Sequence, residues 1–229
     1  MNLRILFEDE HIIVCYKPSG TPTQTAKLGA VDMVSLLRNY LYKKQKEKKE
    51  PYVAVIHRLD QPVEGILVFA KTPFAAKELN KGMQQGAGFG KYYKAVLCGV
   101  PTEKTGTLEN YLVKDGKTNT SRVVLKNEKD AKKAVLSYEV VDIYENRSLV
   151  RIKLHTGRHH QIRVQMANIG CPIWGDTKYG VDKQSTNVDK SWKQIALCAY
   201  RLEFVHPKTK KKMEFEIQPE GEGFKAVSL

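Results

Sequence analysis

Three short stretches carry residue types able to do chemistry. The first is His57-Arg58-Leu59-Asp60, followed by Gln61-Pro62-Val63-Glu64-Gly65 and the apolar run from Ile66 to Ala70. Val53 and Val55 before it and the run after it read as β-forming. An imidazole, a guanidinium and a carboxylate therefore sit where a core should be. Burying a carboxylate is costly unless a partner is present, so charges in such a place are candidates for catalysis. The other reading is a strand-end ion pair of Arg58 with Asp60, leading into a Pro-Gly turn.

The second stretch is Thr156-Gly157-Arg158-His159-His160-Gln161-Ile162-Arg163. His155 and His159 have the four-residue spacing of a zinc pair. No Glu accompanies them in the metalloprotease pattern, Gly157 interrupts the helix and no third ligand is evident, so no metal is expected. The competing reading is a cationic pocket floor, in which N–H groups at a helix start and Arg side chains take a phosphate or carboxylate. The third stretch is Lys91-Tyr92-Tyr93-Lys94-Ala95. Tyrosines in a strand ordinarily pack; between lysines they can also stack a base while the lysines hold phosphates.

The elements that must position these stretches follow from pattern. Residues 3–7 and 11–16 read as strands joined by the acidic turn Glu8-Asp9-Glu10, and Lys17-Pro18-Ser19-Gly20-Thr21-Pro22 stops the second. Val34, Leu37 and Leu41 mark a helix over about 31–49. Its end, from Lys43 to Glu50, is polar all round: a solvated extension, a frayed loop or a basic arm touching RNA. Thr72-Pro73 starts a helix with Ala75, Ala76, Leu79 and Met83 on its buried face. Gly86-Ala87-Gly88-Phe89-Gly90-Lys91 fails the Walker spacing and reads as the entry to a strand over 92–99. Strands are predicted over 108–113, 122–125, 134–143 and 149–154, the last showing Arg151 and Lys153 on one side. A helix over 158–169, ended by Gly170 and Pro172, comes next. Residues 177–193 are loop-like, and 195–205 and 212–217 are strands. The pattern predicts an α+β fold: a single mixed domain over 1–229 with a large, mostly antiparallel central sheet flanked by helices and loops.

Composition narrows the classes. The chain has 229 residues, 41% hydrophobic and 28% charged, enough for a sizeable core. No run approaches the roughly 18 apolar residues of a membrane span, and the early acidic residues argue against a signal peptide. Cys15, Cys98, Cys171 and Cys198 are far apart in apolar contexts, as buried thiols of a reducing cytoplasm would be. A formal charge of +13 favours a polyanionic partner, with nucleic acid first.

Taken together, the three clusters resemble the RluA-type pseudouridine synthase family, which acts on ribosomal and transfer RNA. His57-Arg58-Leu59-Asp60 with Gly65 and Ala70-Lys71-Thr72 is similar to that family's catalytic motif, and Lys91-x-Tyr93-x-Ala95 with Gly99 to its tyrosine motif. Thr156-Gly157-Arg158-x-His160-Gln161-Ile162-Arg163-Val164, with Ile169-Gly170, Pro172-Ile173, Gly175-Asp176 and Tyr179-Gly180, resembles its third. Ile5-Leu6-Phe7-Glu8-Asp9, Lys17-Pro18-x-Gly20 and Leu202-x-Phe204-x-His206-Pro207 extend the likeness over residues 3–217. Departures fall at Gln61-Pro62-Val63-Glu64 and at Gln165.

The resemblance implies a pseudouridine synthase fold and an isomerase that breaks the N1–C1′ bond of a uridine and rejoins the base through C5. It implies Asp60 as catalyst, whether by attack on C1′, attack on C6 or removal of the C2′ proton. Arg163 would pair with Asp60, and Tyr93 would pack on the uracil and help remove the C5 proton. Arg58, Arg158, His160 and Gln161 are expected to bind substrate, and His57 to be structural. No cofactor or metal is expected. RNA is the expected partner, the chain a cytoplasmic monomer without the accessory RNA-binding domain of many family members. A non-catalytic RNA-binding or ribosome-assembly factor on the same fold is the alternative. A protein kinase fails, because Leu59 intervenes between Arg58 and Asp60 and no Asp-Phe-Gly follows.

Overall fold

The structure, a computed structural model, describes residues 3–27, 29–46, 49–86, 88–180 and 194–225. Strands β1 (Ile5–Glu8) and β2 (Ile12–Lys17) form an antiparallel hairpin. Its acidic turn is set by Asp9, whose Oδ1 accepts the N–H groups of His11 and Ile12, both at 2.8 Å. Helix α1 (Met33–Lys44) opens on a reciprocal cap between Asp32 and Ser35 and buries Met33, Val34, Leu37 and Leu41. It stops short of the predicted 49 because the lysine-rich tail offers no apolar face; residues 47 and 48 of that tract lie outside the described residues. The short β3 (Ala54–Val55) precedes β4 (Glu64–Ala70), every residue of which is buried. Helix α2 (Pro73–Gln85) begins with Thr72 Oγ1 accepting the N–H of Ala75, has Pro at its start and ends on Gly86 at φ 65°. Ala75, Ala76 and Leu79 are buried as predicted, and Met83 only half-buried.

Strands β5 (Gly90–Cys98), β6 (Thr105–Asp115), β7 (Thr120–Val124), β8 (Lys132–Tyr144) and β9 (Arg147–Leu154) follow. Several outrun the predicted apolar stretches, since their exposed residues alternate with buried ones and leave only a weak pattern. Helix α3 spans Gln161–Asn168 rather than 158–169. His160 before it stands at φ 52°, which interrupts helical continuity, so Thr156 to His160 form a loop. The chain closes with β10 (Leu197–Val205), β11 (Lys212–Glu216) and the short α4 (Glu222–Lys225), which the sequence pattern did not predict.

These elements group into two compact units, one from residues up to 90 together with 199–218, the other from 91–198 together with residues from 219 on. In the first, the strand order is β1-β2-β4-β10, with β3 on β4 and β11 on β10. Register is fixed by β2 against β4, Ile12 facing Ala70 and Lys17 facing Gly65. Ile12, Ile13, Ile66, Leu67 and Phe69 are each no more than 1% exposed. Each such side chain contributes about 1.5–3 kcal/mol. Gly65, at φ 137°, permits the contact between β4 and β10: a Cβ there would lie 2.5 Å from the carbonyl oxygen of Ala199. In the second unit, β5-β9-β8-β6-β7 is an antiparallel sheet, with α3 against β6 and β7. Both units realise the α+β fold, with antiparallel pairing dominant. Cys15, Cys171 and Cys198 are buried; Cys98, expected to be buried, is exposed at the end of β5, where the strand gives way to the Gly99 turn. No helix among the described residues is long and apolar enough to cross a membrane.

Candidate active site

Asp60 sits on the irregular segment between β3 and β4, in a turn closed by the Val63 N–H donating to its carbonyl at 3.0 Å. The backbone on both sides of it is tied to the loop that follows β2. Leu59 donates its N–H to Thr23 Oγ1 at 3.1 Å and accepts from the same hydroxyl at 3.0 Å. On the other side, the Gln61 carbonyl accepts from Gly20 N at 2.8 Å and from Lys17 Nζ at 3.0 Å, while Ser19 Oγ donates to the Pro62 carbonyl at 2.8 Å. Asp60 is thus held in place by its neighbours' peptides.

Lys17 is the core of this clamp. It is fully buried, and its ammonium also donates to the carbonyls of Pro18 at 3.0 Å and Thr21 at 2.7 Å. Burial pushes this lysine down to about 7, against the opposing pull of the negative charges of Asp60 and Glu64. Three carbonyls, one for each ammonium proton, favour the charged form. Glu64, also buried, accepts from Tyr16 Oη at 2.6 Å. His57 has the structural surroundings expected of it: Nε2 accepts weakly from Val68 N at 3.4 Å, and the ring meets Phe89 edge-on. Arg58 is exposed and makes no ion pair or hydrogen bond among the described residues.

In the second unit, Tyr93 is buried on β5 opposite Ile152. Arg163, 4% exposed, is locked by Asp176: Nε to Oδ2 and Nη2 to Oδ1, both 2.7 Å. The Asp176 side chain is 0% exposed, and its Oδ1 also accepts Lys178 N at 2.9 Å. The ring of Tyr179 lies 5.1 Å from the guanidinium carbon. Tyr179 Oη takes the Ser121 N–H at 2.7 Å and pairs with His160 Nδ1 at 2.8 Å. His160 stacks on His159 at 3.7 Å, and His159 Nδ1 returns to Ser121 Oγ at 2.9 Å. Burial first, then the charges of Arg163, His159, Lys178 and Lys114, push His160 down to about 3. A neutral imidazole in this position accepts the tyrosine proton at Nδ1.

Gln161 faces inward: its Oε1 accepts from Thr156 Oγ1 at 2.7 Å and Arg158 N at 3.0 Å, and its Nε2 donates to the Val135 carbonyl at 3.1 Å. Arg158 is exposed, with Nε donating to the Lys133 carbonyl at 2.8 Å. The two histidines weighed as a zinc pair are hydrogen-bonded elsewhere, His155 Nε2 to Ser137 Oγ at 2.8 Å and His159 to Ser121. The sequence reading assigned no role to Lys17, Thr23, Asp176 or Tyr179. The available signal was a lone lysine ending an apolar strand and a lone aspartate after Gly175.

A family model described as RNA pseudouridylate synthase matches residues 11–168, and the chain belongs to that family. It is 32% identical over 229 residues to the ribosomal large subunit pseudouridine synthase D of Haemophilus influenzae, an alignment covering 93% of this chain and 66% of that protein. To the protein of the same name from Pseudomonas aeruginosa it is 33% identical, over 94% of this chain and 68% of that one. The chain spans about two thirds of these relatives' length. The fold matches that of human RNA pseudouridylate synthase domain containing 4, with a TM-score of 0.80 at 22% identity, covering 97% of this chain and 91% of the human one.

Proposed function

We propose that this chain isomerises uridine to pseudouridine in structured RNA, with Asp60 as its essential catalyst. The supporting observation is the clamp on Asp60. Thr23, Gly20, Ser19 and Lys17 fix the peptides on both sides of one carboxylate. Fixing the backbone on both sides of a carboxylate is a way to aim it.

The reaction breaks N1–C1′ and forms C5–C1′. N1 gains a proton and C5 loses one, so substrate and product are isomers. Attack on C1′, attack on C6 and removal of the C2′ proton all require an ionised carboxylate. Arg163 is the proposed counter-charge that keeps Asp60 ionised away from water; its locking by Asp176 suits a guanidinium that must not wander. Tyr93 is proposed to pack on the uracil and assist loss of the C5 proton. Arg58 and Arg158, exposed cations, are proposed to hold the extruded nucleotide's backbone, with His160 and Gln161 organising the loop that carries Arg158. The names of the relatives make RNA of the large ribosomal subunit the first substrate to try, and the motif resemblance makes transfer RNA the second, in the cytoplasm.

The test is pseudouridine formation by the purified protein and by its Asp60→Asn variant, on both RNAs from cells lacking the protein. Loss of at least about 10³-fold in rate is expected for the variant. Wild-type rates from it remove Asp60 from the mechanism. RNA binding by the wild-type protein with no pseudouridine on either RNA favours the non-catalytic reading.

A further inference from the structure

Lys91 opens the tyrosine motif, and the role proposed above for Tyr93 makes no use of it. Its place follows from register. Tyr92 faces Lys153 and Tyr93 faces Ile152, so Lys91 stands level with Leu154, the last residue of β9, where the chain turns into the loop Thr156 to His160. Alternation along β5 puts Lys91 on the same sheet face as Tyr93, ~6.6 Å further along. Tyr92 points the other way, with the Lys153 ammonium 5.7 Å from its ring.

On its own face the Lys91 ammonium reaches Gly157: a Cβ added to that glycine would lie 3.2 Å from Nζ. Gly157 does not adopt a positive φ, so its backbone does not require glycine; the tight approach there is to the Lys91 ammonium. The lysine is half-buried, yet among the described residues it has no carboxylate, carbonyl or hydroxyl partner. The adjacent Arg158 is likewise without a carboxylate. Desolvation, with no compensating charge, lowers the pKa of Lys91. A buried, unpartnered ammonium destabilises a fold, and a residue that does so beside a binding face is a candidate for ligand recognition.

We propose that Lys91 is a phosphate-binding residue, held over Gly157 beside the Tyr93 face to take one phosphodiester of the RNA strand. This rests on RNA being the substrate, and its test reads binding rather than turnover. Lys91→Met, Lys91→Gln and Lys91→Arg are compared with the wild type in RNA affinity across a potassium chloride series and in urea unfolding. The Met and Gln variants should bind more weakly, with a slope of log affinity against log salt shallower by about 0.7–0.9, the signature of one lost phosphate contact. The Arg variant should keep the wild-type slope. The Met variant should unfold at the same or higher urea concentration, because a lysine kept for packing would do the reverse.

An unchanged slope in both neutral variants, or a Met variant that unfolds earlier without a change in slope, overturns the proposal. Protection of the wild type but not of Lys91→Met by inorganic phosphate at matched ionic strength, with an unchanged RNA slope, would reassign the site to free phosphate and overturn it too. A wild-type protein that binds RNA with the expected slope but makes no pseudouridine defeats the proposed activity and leaves Lys91 as a phosphate ligand.

Discussion

At Asp176 one carboxylate takes two donors of a buried guanidinium and the amide of Lys178. Removing its charge while keeping its shape leaves Arg163 buried with half its partner. Asp176→Asn should therefore destabilise by about 3–5 kcal/mol, the range for a broken buried pair, and urea unfolding of the purified variant would measure it. The conservative Asp176→Glu should recover part of that loss if a carboxylate is what the guanidinium needs. Asp60 stood out in sequence as a charge between two apolar strands, with a strand-end ion pair as the other reading, whereas the pairing role expected of Arg163 came only from the family resemblance. Asp176 did not stand out: an aspartate after glycine has the signature of a turn, and nothing in spacing shows that it faces an arginine thirteen residues earlier. Lys17 was hidden for a similar reason. Its three acceptors are carbonyls, which carry no side-chain pattern at all.

The turn from β1 to β2 shows what an element gains from long-range pairing. Glu8, at the end of β1, accepts from Lys71 at 2.8 Å and from Lys44 and Tyr40 at 2.9 Å. Burial opposes its ionisation, but these three bonds outweigh it and lower the group from 4.5 to about 2. A carboxylate with a depressed pKa stabilises the fold fully above its unfolded value and loses that contribution as pH falls through the folded one. Glu8 should thus contribute about 1 kcal/mol after solvent screening, lost between pH 4.5 and about 2. In Glu8→Gln that part of the acid limb should flatten, as followed by the urea midpoint against pH. The elements themselves were largely readable: β2, β4, α1 and α2 declare themselves by runs, period and caps. The start of α3 did not, because His160 at φ 52° pairs with the Tyr179 hydroxyl, nineteen residues on, a tertiary contact that the local pattern does not show.

At the scale of the molecule, the charge of +13 pointed to a polyanion before any motif was considered. The division into two units left no such trace. Gly86, Gly88 and Gly90 adjoin the first boundary but read as a strand entry, and no glycine or serine marks residues 198 and 199, because the boundary falls within β5 and β10. A chain ended after Cys198 lacks most of β10 and all of β11, which leaves the flank of β4 away from β2 open except where β3 pairs with Phe69 and Ala70. Limited proteolysis should cut residues 1–90 of that truncated chain faster than the same residues of the full one.

The placement of β10 also bears on how the protein comes off the ribosome. The strands that β4 meets first, β2 and β3, are made just before it, but the flank that Gly65 keeps bare for Ala199 must wait while residues 91–198 are synthesised. At ordinary elongation speeds that delay is on the order of ten seconds. For that interval a strand destined to be buried along its whole length has an unsatisfied side, a window in which a holdase chaperone would find its binding site.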